Sequence, residues 1–252
     1  MKKICFFNLK GGCAKTTSII NIVSYLAMKN NKILVVDCDM QSNLTSSLIN
    51  YDMYRPGIFQ VFTGEKDINE VIIRVKDNID LLPSSLLMST LEPRINGIYG
   101  REFILQRALN KLHNNYDYIF YDSSPSFSLV TTNAIVASDN IIVPVQTEYF
   151  AVEGVKLLLE TLNYIKEGLN IQTELKYLFA TMHDTRNNLN TIQYENLKKV
   201  FKDKFLDTYI RKNVALAESP IFKQSIFEYK PHSNGAHDYE LLIKEIESKG
   251  GF

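Results

Sequence analysis

Apolar residues along this chain fall into two patterns that alternate from end to end. Short runs are apolar at nearly every position: Ile4-Cys5-Phe6-Phe7, Ile33-Leu34-Val35-Val36, Tyr118-Ile119-Phe120-Tyr121, Ile141-Ile142-Val143-Pro144-Val145 and residues 175–181. Runs of this length, apolar on both faces, suit the interior strands of a parallel sheet. Between them, apolar residues recur at spacings of three and four, as one helix face requires: Ile19, Ile22, Val23 and Leu26; Phe103, Leu105, Ala108, Leu109 and Leu112; Val155, Leu158, Leu162 and Ile165. A helix over about 189–205 carries Lys198, Lys199, Lys202 and Lys204, and a last helix over about 236–248 buries Tyr239, Leu242, Ile243 and Ile246. Two shorter strands complete the reading, one at residues 78–83 and one at Thr208-Tyr209-Ile210. Strands that alternate with helices predict an α/β fold, one doubly wound, mostly parallel sheet. No linker, repeat or low-complexity tract divides the chain, so residues 1–252 read as a single domain.

Composition narrows the function classes. With 252 residues, 45% of them hydrophobic and 22% charged, the chain is a normal length for one α/β unit with a large core. Formal net charge is zero, which excludes a protein that binds nucleic acid through its whole surface and leaves only a local patch for that role. Cys5, Cys13 and Cys38 form no C-x-x-C pair and read as buried free thiols in a reducing compartment. Lys2-Lys3 leads straight into a four-residue apolar strand, so no signal peptide is expected. The longest apolar runs are too short to span a membrane.

The candidate chemistry lies where strands end. After the first strand comes Asn8-Leu9-Lys10-Gly11-Gly12-Cys13-Ala14-Lys15-Thr16-Thr17-Ser18, and then the first helix. Strand, glycine loop and helix is the layout of a phosphate-binding loop, whose N–H groups and helix N-terminus face phosphate oxygens. Lys15 would reach the outer phosphates and the Thr16 hydroxyl would hold Mg²⁺. A plain glycine turn is the competing reading, and the generic pattern is broken: Leu9 and Ala14 stand where it has glycine. Left-handed backbone at Ala14 would cost ~1–2 kcal/mol relative to glycine.

The second strand ends in Asp37-Cys38-Asp39, and the strand through Ile119 ends in Asp122-Ser123-Ser124-Pro125-Ser126. Ligands of open α/β sheets lie at the carboxyl ends of strands, so these aspartates should face the phosphates. Asp122 suits a Walker B carboxylate that holds Mg²⁺ through water, and the loop after it suits a switch that senses the γ-phosphate.

Lys10 directly before Gly11-Gly12 gives the loop a second lysine. In this it resembles the deviant K-G-G-x-G-K-[ST]-T loop of the ParA/MinD ATPases. Further blocks extend the resemblance over nearly the whole chain: Val36 to Thr45, Tyr116 to Ser126, Val143 to Gly154, Thr181 to Asp184, and Asn213-Val214 with Glu218-Ser219-Pro220. The chain is similar to small ParA (Soj-like) partition ATPases.

The resemblance implies ATP and Mg²⁺ as cofactors. It implies that Lys10 crosses a homodimer interface to the partner's nucleotide, and that Lys15 and Thr16 bind phosphates and Mg²⁺ within the loop Gly11, Gly12, Cys13, Ala14, Lys15, Thr16 and Thr17. Asp39 would orient the attacking water, Asp37 and Asp122 would support the metal, and Met182, Asp184, Arg211 and Asn213 would surround the adenine. It also implies right-handed backbone at Ala14, non-specific double-stranded DNA and a ParB-like centromere-binding protein as partners, and a cytoplasmic, nucleoid-associated location.

The DNA surface is the least determined element. Arg211 stands where the family usually has proline, Ala215 where it often has arginine, and Ser124 where it has the first of two prolines. Arg211, Lys212, Lys223 and Lys230 are the candidate DNA contacts. The alternative function is a MinD-like positioning ATPase at a membrane or on another cargo. Glu240, Glu245 and Glu247 on the last helix disfavour a membrane, because anionic lipid would repel them.

Overall fold

The computed structural model describes all residues, Met1–Phe252. Seven strands form one sheet: β1 (Lys2–Phe6), β2 (Ile33–Cys38), β3 (Ile73–Lys76), β4 (Ile79–Leu82), β5 (Tyr118–Ser123), β6 (Asn140–Gln146) and β7 (Glu174–Thr181). Their spatial order is β3-β4-β2-β5-β1-β6-β7. All neighbours are parallel except β3 against β4. The all-apolar runs are explained by helices on both faces. Along β1, Cys5 and the following Phe7 pack into one core, while Ile4 and Phe6 pack into the other. Leu34 and Val36 of β2 part from Ile33 and Val35 in the same way.

This order sets the site. The chain enters at the centre of the sheet, with β5 on one side of β1 and β6 on the other. The crossovers therefore leave β1 in opposite directions, and a crevice opens past its carboxyl end. The register carries the acidic strand ends to that same edge: Asp122 lies beside Phe6 on one side and beside Asp37 on the other.

Three expectations are corrected. The stretch 43–115 holds two strands, because Ile73 to Lys76 turns at Asn78, whose φ is +63°, and pairs antiparallel as an edge. Thr208-Tyr209-Ile210 is not a strand. The chain there follows β7 through single bonds, Leu206 N–H to the Leu178 carbonyl (2.8 Å) and Ile210 N–H to the Ala180 carbonyl (2.9 Å), without a ladder. The lysine-bearing helix stops earlier than its apolar pattern suggests, at Phe201, where Lys202 takes φ +47° and a short 3₁₀ turn follows.

Candidate functional site

The loop after β1 curls around a cavity of about 530 Å³ walled by its own backbone and by Asp39, Asn43, Pro125 and Met182. Gly12 and Ala14 both take left-handed backbone, φ +73° and +69°, with Cys13 between them at negative φ. Alternating handedness turns successive N–H groups toward one concave side, which makes an anion nest. The first helix, Lys15–Met28, starts there with no side-chain cap. Its free N–H groups remain available to a phosphate. The right-handed backbone implied for Ala14 is thus overturned: the nest geometry needs the left-handed turn, and the alanine takes it.

The two lysines are placed differently. Lys15 is buried and donates to the Asn8 carbonyl at 3.2 Å. Asn8 is itself anchored by its amide to the Pro144 carbonyl at 2.7 Å. Lys10 points out of the loop to the Glu148 carboxylate at 2.6 Å, and both side chains are well exposed. They sit at the rim of a separate cavity of about 340 Å³ with Gln146, Tyr149 and Phe150.

Three carboxylates line the sheet edge in distinct states. Asp122 is fully buried; its Oδ2 accepts the Thr16 hydroxyl at 2.5 Å and its Oδ1 has no partner. Burial, followed by the charge of Asp37, pushes its carboxyl up to about 8. An orphaned buried oxygen beside a threonine hydroxyl on a phosphate loop fits a divalent cation held by Thr16 and, through water, by Asp122. Asp37 is equally buried but fully engaged: Thr45 donates its N–H (2.8 Å) and hydroxyl (2.7 Å), and Asp39 donates its N–H (3.1 Å). Burial raises it to about 6 against those donors. Asp39 lines the cavity, with Oδ1 accepting the Gln41 N–H at 3.0 Å and its carbonyl accepting the Ser84 hydroxyl at 2.8 Å.

A second, mostly apolar cavity of about 260 Å³ adjoins the first, sharing Ala14, Thr17 and Met182. Thr181, Ile210, Arg211, Lys212, Asn213, Leu216 and Tyr239 are among its other walls. Its size and lining suit a planar base, and it lies beyond the end of β7.

Sequence and structure comparisons identify the family. A family profile described as an AAA domain matches residues 1–176. The sporulation initiation inhibitor protein Soj of Bacillus subtilis is 37% identical over 99% of both chains. The chromosome-partitioning ATPase Soj of Treponema pallidum is 35% identical over 99% of this chain and 98% of its own. The chain belongs to the Soj/ParA family of ATPases. A plasmid partition protein of Borrelia burgdorferi bound to AMPPNP superposes with a TM-score of 0.84 at 29% identity, covering 98% of each chain. Cobyrinic acid a,c-diamide synthase of Mycobacterium smegmatis, with ADP and magnesium, also reaches 0.84, at 26% identity over 100% of this chain and 97% of its own. The fold is that of a P-loop NTPase with the deviant loop, and the family hydrolyses ATP.

Among the residues assigned by resemblance, Lys15, Thr16 and Asp39 line the loop cavity, Asp122 is joined to it through the Thr16 hydroxyl, and Met182, Arg211 and Asn213 line the apolar one. Two are placed otherwise. Asp37 lines neither cavity; its carboxylate accepts three hydrogen bonds, from Thr45 and Asp39, which tie the turn that carries Asp39 to Thr45. Asp184 does not line the base cavity and is paired with the Arg186 guanidinium at 2.9–3.0 Å. That partner holds its carboxyl down to about 2. The candidate DNA contacts also divide. Arg211 is bound to Asp238 and Lys230 to Glu218, whereas Lys212 and Lys223 form no ion pair. Cys5, Cys13 and Cys38 are free and buried, as expected.

Sequence reading gave no role to Glu148, Thr45 or Asp238. Glu148 and Thr45 lay inside matched blocks, where a carboxylate able to reach Lys10 and a hydroxyl eight residues past Asp37 were the available signals. Asp238 had no signal, because its partner Arg211 is 27 residues away.

Proposed function

We propose that this chain is a partition ATPase in which two copies close around ATP and Mg²⁺, bind double-stranded DNA without sequence preference, and are released when a ParB-like partner triggers hydrolysis. The observation that carries this reading is the division between the lysines. Lys15 is buried at its own phosphate cavity, and Lys10 is held outside it on an exposed glutamate, free to reach a second copy. A surface ion pair of this kind contributes about 0–1 kcal/mol, so a partner's phosphates can displace Glu148 easily.

Each residue then has a task. The N–H groups of Gly11 to Thr17 and Lys15 hold the phosphates. Thr16 and Asp122 would hold Mg²⁺, which would neutralise phosphate charge there. Asp39 orients water; phosphoryl transfer needs a positioned nucleophile more than a strong base. Asp37 keeps Asp39 in place. A lysine supplied by the second copy makes closure and hydrolysis one event, and nucleoid association follows from DNA binding.

The membrane alternative finds less support. Tyr239, Leu242, Ile243 and Ile246 of the C-terminal helix, Asn234–Ser248, are buried in the core, leaving it no free apolar face. No helix is long and apolar enough to cross a membrane.

The test is co-sedimentation with DNA in ATP, in ADP and without nucleotide. Retention should require ATP, since pairing two weak patches multiplies affinity, and should fall steeply with salt. Equal retention in ADP would overturn the gating. Lys223→Glu should weaken DNA retention and spare ATP binding, whereas Lys212→Glu should weaken both, because Lys212 also lines the apolar cavity. Lys230→Glu, which removes a lysine already paired to Glu218, should have a smaller effect.

A further inference from the structure

Asp238 and Tyr239 are consecutive residues near the start of the C-terminal helix, and each reaches a different wall of the nucleotide site. Asp238 is almost wholly buried and accepts four bonds from Arg211: the backbone N–H at 3.0 Å, Nε at 3.1 and 3.0 Å, and Nη2 at 2.6 Å. Arg211 to Asn213 form one side of the apolar cavity. Tyr239 places its hydroxyl 2.9 Å from the Ser18 hydroxyl, both fully buried, on the helix that begins at the phosphate loop. The helix is seated close: a Cβ on Gly235 would lie 2.9 Å from Leu216 Cγ.

The segment that Asp238 holds needs holding. Residues 206–211 run beside β7 on three backbone bonds rather than a ladder, and the C-terminal helix supplies the rest: Glu245 accepts the N–H groups of Asp207 and Thr208 at 2.9 and 2.8 Å, and Asp238 takes Arg211. A charge-assisted fork plus a backbone N–H on one buried carboxylate is a strong and directional anchor. Ordering a wall before the ligand arrives removes that cost from binding.

We infer that Asp238, acting through Arg211, is a positioning residue for the nucleoside half of ATP, and that its helix ties this wall to the phosphate-loop helix through Tyr239 and Ser18. This rests on reading the apolar cavity as the base site. It gives Arg211, otherwise a candidate DNA contact, a task inside the protein.

The test compares a ligand with a base and one without. Affinities of ATP and of inorganic tripolyphosphate, both with Mg²⁺, are measured by calorimetry for the wild type, Arg211→Ala, Arg211→Lys, Asp238→Asn and the double variant Arg211→Ala/Asp238→Asn. Loss of a charge-assisted anchor should weaken ATP roughly tenfold in Arg211→Ala and Asp238→Asn. Tripolyphosphate should change less than about twofold, because the loop that holds it is untouched. The double variant should be no worse than the single ones, since the second change removes a group already without its partner. In turnover, KM should rise with kcat nearly constant. Arg211→Lys keeps a charge against Asp238 and loses only the fork, so it should fold and fall between. If Arg211→Ala fails to fold, Arg211→Lys and Asp238→Asn decide. Equal weakening of both ligands, or unchanged ATP affinity, overturns the inference and leaves the site reading standing. A wild-type protein that binds tripolyphosphate as tightly as ATP overturns the base-site reading itself, and the inference with it.

Discussion

The two halves of the nucleotide site are built by different means. The phosphate half is made of backbone and strand ends: the nest at Gly12 to Ala14, Lys15 and Thr16 at a helix start, and Asp37 and Asp122 in register across neighbouring strands. The base half is made of side chains from segments far apart in sequence, Met182 after β7, Arg211 and Asn213 beside it, and Tyr239 on the last helix. Topology alone assembles the first. Only tertiary packing assembles the second. Substitutions in the phosphate half should therefore change chemistry and every phosphate-bearing ligand, and those in the base half should change only affinity for nucleosides.

The sharpest break of that contrast is at the lysines. Lys15→Ala removes buried positive charge from the ground-state site, and should abolish binding of ATP and of tripolyphosphate alike, with DNA retention lost in consequence. Lys10→Ala removes an exposed residue and should leave ATP affinity of the monomer within about threefold, the worth of a surface ion pair. It should nonetheless prevent ATP-dependent closure, read by size-exclusion chromatography with ATP and Mg²⁺. A Lys15→Ala protein that still binds ATP tightly would show that the base half, not the loop, dominates affinity.

Next in size is Asp39. A water-orienting group contributes a rate factor of roughly a hundred or more, about 3 kcal/mol of barrier, and little affinity. Asp39→Ala should bind ATP, form the closed pair and stay on DNA, with phosphate release slowed by that factor. Asp39 also accepts the Gln41 N–H, so Asp39→Asn, which keeps an acceptor there, separates loss of the turn from loss of the carboxylate. Hydrolysis at the wild-type rate in both variants would remove Asp39 from the mechanism.

The same contrast explains what could be read from the residues alone. Strand ends carrying Asp37, Asp39 and Asp122 are visible because an all-apolar run stops at an acid, and the loop is visible because glycines and lysines cluster beside it. The interior strands follow from burial on both faces. The edge was harder. Ile73 to Lys76 alternates because one side meets solvent, and its hairpin rests on one left-handed asparagine, Asn78. Thr208-Tyr209-Ile210 reads as a short strand, but no ladder forms there. Asp184 was misplaced for a related reason: its position in a matched block does not reveal that Arg186, two residues on, captures its carboxylate. Local sequence cannot report which of several partners a side chain will choose.

Ala14 lies on the boundary, in the walls of both cavities, and is the finest test of the comparison. Its φ of +69° costs an L-residue ~1–2 kcal/mol that glycine would not bear. Glycine also gives the unfolded chain more freedom, which offsets about 0.4–1 kcal/mol of any gain. Ala14→Gly should therefore raise the melting temperature of the nucleotide-free protein by only about 2 °C. If the loop keeps the same handedness when phosphates bind, the cost is present in both states and cancels, so ATP affinity should change by less than about threefold. A melting temperature that stays fixed while ATP affinity rises well beyond threefold would mean that the free loop relaxes and that ATP forces the left-handed turn. The nest would then be formed by the ligand rather than by topology, and the phosphate half would resemble the base half in needing to be assembled.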